Sequence, residues 1–298
     1  MSIPVCWYEG IAGLYAHEGV HGRSRYACTG LLNDALDTYD CEHFSGWNSV
    51  PASAEYAVVI IHGGHLRHQV EEINQSISRL QAVICVGIGD EENDFPYHEL
   101  RHRNMKLWMQ SPIPGKSRAD RYLIVGYPCD IHEHLVRGQE RTLDWFFAGQ
   151  ITNARREECA ELLRTKPNGK LLETKQFYSG MPHDEYFKTL GQAKVIPCPS
   201  GPVCSDTFRL AEALEAGCIP IVDEHPGWKE KPTTGFWDMV FPEGTPFPVV
   251  RNWKDIPLNS LLSDYENQAR RCQEFWADYK KQYFSWLGQD FKSLGVTL

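Results

Sequence analysis

The residues best suited to chemistry stand in the stretch 193–222, AKVIPCPSGPVCSDTFRLAEALEAGCIPIV, where an apolar run, a Pro/Gly-rich loop, a helical segment and a second apolar run follow one another. Ser205 reads as the N-cap of that helix, because a serine hydroxyl accepts from the unpaired amides of a first turn. Gly217 supplies the left-handed residue on which a helix ends. The first turn then presents amide donors and a positive dipole end beneath a flexible loop, a physical basis for holding a diphosphate. Arg209 adds a permanent cation one turn in. Arg209, Glu212 and Glu215 are spaced by three and so share one helix face, while Leu210, Ala211 and Leu214 pack. A cation for phosphate beside a carboxylate for hydroxyls is what a nucleoside diphosphate requires. The competing reading is an ion pair on the surface of an ordinary helix.

Positioning these residues takes an α/β fold with parallel sheets. Residues 56–62 (YAVVIIH) form a β-branched run, followed by Gly63-Gly64 and a helical pattern to about Leu80 carried by Val70, Ile73 and Ile77. A second run at 82–88 (AVICVGI) completes a βαβ unit, and continuous apolar runs suit parallel strands covered on both faces. Shorter strands are expected at 105–109 and 121–125. The polar stretch 126–141 sets a domain boundary, giving domains 1–135 and 136–262. The second domain is expected to run through a strand at 143–148, a helix at 153–165, a Pro-Asn-Gly turn, a strand at 170–174, a helix at 183–191 and a strand at 193–198. Residues 263–298 form a C-terminal helical segment, whose aromatic stripe (Tyr265, Phe275, Trp276, Tyr279, Tyr283, Phe291) at helical spacing reads as core.

A chain of 298 residues with 42% hydrophobic content is long enough for two such domains, each with its own core. The first residues, MSIPVCWYEG, lack the basic start and apolar run of a secretory signal, and no long apolar stretch follows, so a cytoplasmic protein without a transmembrane segment is expected. Ten scattered cysteines without paired metal spacing read as reduced and mostly core. A net charge of −9 excludes a surface-wide footprint for a polyanion, though Arg101, Arg103, Lys106, Lys116, Arg118 and Arg121 make a basic strip that reads either as a solvated flank or as a nucleic-acid contact.

The string SDTFRLAEALEAGCIPIV, preceded by YFKTLGQAKVIPCPSG, resembles the C-terminal signature of exostosin-like (family 47) glycosyltransferases, and the upstream DWFFAG resembles the start of their donor domain. The match covers 143–222 and is most specific over its last thirty residues. The resemblance implies a GT-B fold: two Rossmann-like domains facing a cleft, with a C-terminal helix packed across them. It implies a UDP-sugar as donor substrate, no cofactor, no metal, and inversion at the anomeric carbon. By position, Ser205 and Thr207 would lie near the phosphates, Arg209 would neutralise the leaving diphosphate, and Glu212 would take the ribose hydroxyls, with Glu215 on the same donor-binding face. This chain is shorter than most eukaryotic members and lacks their anchor, so their Golgi acceptors do not carry over.

An inverting transfer needs a base, expected on a loop at the carboxyl end of an N-terminal strand. HGGH at 62–65 offers His62 and His65; GIGDEENDF at 87–95 offers Asp90, which stands at the strand end and is preferred over a merely solvated turn. His62, His65 and His68 show threefold spacing, but the glycine pair keeps them off one helix, and no metal site is expected. Trp228, Phe236 and Trp237 serve either as stacking platforms or as core. The acceptor is a glycan or a hydroxymethylated DNA base, the latter because virus-encoded DNA glycosyltransferases share the fold. Two other functions fit the same pocket: a sugar-nucleotide epimerase and a noncatalytic nucleotide-sugar binding protein.

Overall fold

The computed structural model describes residues 2–8, 29–175, 180–224 and 234–298; Trp228 and the side chain of His65 lie outside what it describes. The chain divides into two compact units, Met1–Cys129 with Lys280–Leu298, and Asp130–Tyr279. The division thus falls after Cys129, inside the polar stretch 126–141, and the C-terminal segment contributes to both units.

The first unit is built on a six-stranded sheet whose strands all run parallel: β1 (Ile3–Trp7), β2 (Cys41–Ser45), β3 (Tyr56–His62), β4 (Ala82–Ile88), β5 (Met105–Gln110) and β6 (Arg121–Leu123), in the order β2-β1-β3-β4-β5-β6. β4 is buried throughout, as its unbroken apolar run requires of a central parallel strand. Helices α1 (Gly30–Leu36), α2 (Gly63–Leu66) and α3 (Val70–Ile77) accompany it. The single helix expected after β3 is two pieces, and only Val70, Ile73, Asn74 and Ile77 of α3 face the core. His62 pairs in register with Ile88, so the ends of β3 and β4 lie side by side.

The second unit carries five parallel strands, β7 (Leu143–Gln150), β8 (Gly169–Thr174), β9 (Ala193–Cys198), β10 (Ile219–Asp223) and β11 (Val249–Val250), in the order β11-β10-β9-β7-β8. The helices are α4 (Ile131–His134), α5 (Ala154–Leu163), α6 (His183–Gly191), α7 (Phe208–Glu215), α8 (Phe236–Val240), α9 (Leu258–Ser263) and α10 (Tyr265–Ser293). The chain steps outward from β7 to β8, then returns past β7 to lay down β9 and β10. Strand order therefore reverses between β7 and β9, and ligands of open parallel sheets bind at the carboxyl ends beside such a reversal.

Helix α10 buries Ala269, Cys272, Trp276 and Tyr279 in its second-unit portion and Tyr283, Leu287, Asp290 and Phe291 in its first-unit portion, at three-and-four spacing. In the first unit, Trp108 donates its indole N–H to Asp290 at 2.8 Å, Arg121 pairs with the same carboxylate at 3.0 Å, and Trp108 packs on Tyr283 and Trp286. Among the described residues no helix is long and apolar enough to cross a membrane.

Candidate functional site

The loop between β9 and α7 is fastened at the carboxyl ends of three strands. Asn153 donates its side-chain amide to the carbonyls of Ser200 (3.1 Å) and Gly201 (2.8 Å), while its Oδ1 accepts from the Arg156 amide and caps α5. Arg156 donates to the Ser200 carbonyl at 3.0 Å and to the Gln150 carbonyl at 3.0 Å. The Ser200 amide donates to Asp223 Oδ1 at 2.9 Å, and Asp223, fully buried at the end of β10, also takes Arg155 Nε at 3.1 Å and the indole N–H of Trp253. This lattice makes the loop a fixed platform rather than the flexible one expected.

Helix α7 begins at Phe208, not at Ser205. Thr207 is the N-cap, with extended backbone (φ −142°, ψ 150°), and its hydroxyl makes no bond to the helix. Ser205 is buried two residues earlier, in the loop. Ser205, Asp206 and Thr207 are all cap-forming types, and the residue whose backbone turns extended immediately before the helix is the third.

Arg209 is 4% exposed, a cation in the interior. Its Nη2 donates to the Ala148 carbonyl at 2.7 Å near the end of β7, and its guanidinium lies over the rings of Phe147 (4.8 Å) and Phe208 (5.7 Å). Gly149 makes room for it: a Cβ there would stand 2.6 Å from Nη2. Arg209 Nε and Nη1 have no hydrogen-bond partner, and among the described residues no carboxylate pairs with the group. Thr207 Oγ1 and Ser200 Oγ are likewise buried and unpartnered. Buried charges are normally paired, because the cost of removing an ion from water is several kcal/mol. A guanidinium with two unpartnered nitrogens, two hydroxyls and a helix N-terminus, all beside the sheet's reversal, are the kinds of donor that an anion requires.

Glu212, three residues on, is 2% exposed and accepts the Tyr186 hydroxyl at 2.6 Å. Burial pushes its carboxyl up to about 7, against the pull of the Tyr186 bond and of Arg209. Burial, with the Glu212 charge adding to it, holds the Tyr186 phenol well above its ordinary value. Glu215 does not join this group. Its carboxylate takes Arg137 Nη2 and the Trp276 indole N–H (2.7 Å), with His132 at 3.9 Å, so it ties α7 to the segment before β7 and to α10.

The candidates in the first unit are arranged otherwise. Asp90 is 2% exposed, and its two oxygens accept from the amides of Asp94 (2.9 Å) and Phe95 (3.0 Å). It folds back over its own loop instead of pointing outward, because an aspartate before a turn satisfies the turn's amides. His62 is buried at the end of β3 against Gly89, whose φ of +62° and lack of a Cβ admit the ring: a Cβ would lie 2.3 Å from Nε2. The side chain of His65 lies outside the described residues, and His68 is exposed, accepting from Arg67 Nε at 3.2 Å.

Phe236 and Trp237 are core residues, with the Trp237 indole donating to the Asp223 carbonyl at 2.9 Å. In the basic strip, Lys106 pairs with Asp120 at 2.8 Å and Arg121 with Asp290, while Arg101, Arg103, Lys116 and Arg118 are exposed. Ser200, Asn153, Arg156 and Tyr186 escaped the sequence reading. The one local signal was Ser200 itself, inside the Pro-Ser-Gly loop.

No protein-family model matches the chain, and no curated protein matches it in sequence.

Proposed function

We propose that the chain is a glycosyltransferase of GT-B type, moving a sugar from a UDP-sugar to a hydroxyl acceptor, with the second unit binding the donor. One observation carries this reading: Arg209 is a buried cation with two unpartnered nitrogens beside the N-terminus of α7 and the sheet's reversal. A departing diphosphate has the charge and the multiple acceptors that such a group complements, and stabilising that charge is the main catalytic need of the transfer. Thr207 and Ser200 offer further donors to phosphate, and Glu212 offers oxygens to vicinal ribose hydroxyls. Glu215, already occupied by Arg137 and Trp276, holds the helix rather than the ligand.

Because both Asp90 oxygens are committed to backbone amides, His62 is the better base. Two of the six cations in the 101–121 strip are already in ion pairs, which favours a glycan acceptor over DNA. The commitment of Asp90 also favours a second reading, in which the chain binds a nucleotide-sugar and turns nothing over.

Thermal unfolding with a panel of nucleotides tests the donor site. UDP at a hundred times its Kd stabilises the native state by about 2.7 kcal/mol, and Arg209→Ala abolishes the shift. If no nucleotide raises the midpoint of the wild type, the reading fails. His62→Gln separates enzyme from binding protein: transfer, or slow hydrolysis of the UDP-sugar, is lost while the UDP shift stays.

A further inference from the structure

A second cluster in the same unit lies outside the anion site. Asp130 is the N-cap residue of α4, yet its side chain makes no bond to its own helix, the usual occupation of an aspartate there. Its Oδ2 instead stands 3.1 Å from His183 Nδ1 and 3.6 Å from His134 Nε2. One ligand atom from each of the three residues lies within 4.8 Å of the others.

A hydrogen bond accounts for the nearer histidine only. The farther one is beyond hydrogen-bond reach of the same oxygen. A tetrahedral ion held by imidazole and carboxylate bonds of about 2.0–2.2 Å sets its donor atoms about 3.3–3.6 Å apart, a spacing that the His134 nitrogen already has from Asp130 and that the His183 nitrogen reaches by a shift of a few tenths of an ångström. The two rings are also fixed in place: His134 stacks on Phe187 (6.4 Å, 5° between planes), His183 meets the same ring edge-on at 5.8 Å, and Phe187 is wholly buried. A ring wedged under two histidines holds their nitrogens toward one carboxylate before any ligand arrives.

We propose that Asp130, His134 and His183 bind one divalent transition-metal ion, of which Zn²⁺ suits two imidazoles and a carboxylate best. His183 is 60% exposed at its side chain, so the fourth position of a tetrahedral ion opens to solvent, for water or an oxygen ligand. Electrostatic influence from Asp130 and His183 reaches Glu212, so a bound ion adds positive charge within range of that acid. The site does not depend on the glycosyltransferase reading.

The test is calorimetric titration of the full chain with Zn²⁺ after chelator treatment, with Co²⁺ as a spectroscopic probe. The wild type takes up one ion, and His183→Ala, a change at an exposed residue, weakens uptake at least about tenfold. Asp130→Asn does the same, and the Co²⁺ spectrum shows no thiolate charge-transfer band. Uptake falls as pH is lowered, because the imidazoles must be neutral to ligate. Uptake unchanged in His183→Ala, a thiolate band, or no wild-type binding at micromolar ion overturns the proposal. Each of these outcomes leaves the UDP shift and its loss in Arg209→Ala unaffected.

Discussion

Tyr186 donates its hydroxyl to Glu212 Oε2 at 2.6 Å, and the carboxyl that receives it is raised by burial from 4.5 to about 7. Such an acid binds its proton more tightly folded than unfolded. The resulting stabilisation is fully present below pH 4.5 and is lost as pH rises through about 7. The shift corresponds to at most roughly 3 kcal/mol. Urea midpoints of the wild type therefore fall between pH 4.5 and 7.5 relative to those of Glu212→Gln, which lacks the titration. Parallel curves for the two proteins would show that the Glu212 carboxyl is not raised in the folded protein.

Gly149→Ala separates binding from folding. The new Cβ meets the tip of the Arg209 side chain at 2.6 Å, and a flexible tip moves aside at little cost. Native stability should fall by no more than the roughly 1–3 kcal/mol of one lost hydrogen bond, while the guanidinium leaves the Ala148 carbonyl and the UDP shift shrinks. An undiminished shift with a normal fold would mean that the position of Arg209 does not matter to the ligand.

Asp223→Ala acts through the platform. It strands Arg155, the Ser200 amide and the Trp253 indole, three donors that meet at one buried carboxylate. Removing one partner of a buried ion pair costs about 3–5 kcal/mol. Adding Arg155→Met should recover part of that loss, and a double-mutant cycle in urea measures how much. Strictly additive losses would show that the pair contributes nothing as a pair.

Asp90→Asn is expected to lower stability by about 1–3 kcal/mol, since one of the two backbone amides that Asp90 satisfies loses its acceptor. The UDP shift should be unaltered, because Asp90 and Arg209 belong to different units. Were the variant as stable as the wild type but unable to transfer sugar, Asp90 would regain its claim as base over His62.

The strands at 56–62, 82–88 and 193–198 were legible because a parallel strand covered on both faces is apolar at nearly every position. β2 was not: Cys41–Ser45 is an edge strand without a single fully buried residue, so its composition (CEHFS) carries no alternation and no run. β1 hides behind Pro4, a poor strand residue that an early position still admits. Within the site, the nearness of Arg209 to Glu212 could be read because a helix fixes what three residues' separation means. Tyr186 lies 26 residues from Glu212, and Asn153 lies 47 from Ser200; only the order of the strands brings them together. The same holds for His183, 53 residues from Asp130. The outward aim expected of Asp90 was not met for a local reason: a side chain at a strand end has its own loop's amides within reach.

The division of α10 also sets a schedule. Trp108 and Arg121 reach their Asp290 partner, and Trp108 its Tyr283 packing, only through residues that follow the whole of the second unit. At ribosomal speeds of about 5–20 residues per second, the stretch between Cys129 and Lys280 takes on the order of ten seconds or more to synthesise. For that interval the β5 and β6 edge of the first sheet carries an uncovered tryptophan on the nascent chain. The second unit, whose residues are contiguous in sequence, is the part that can close its own core first.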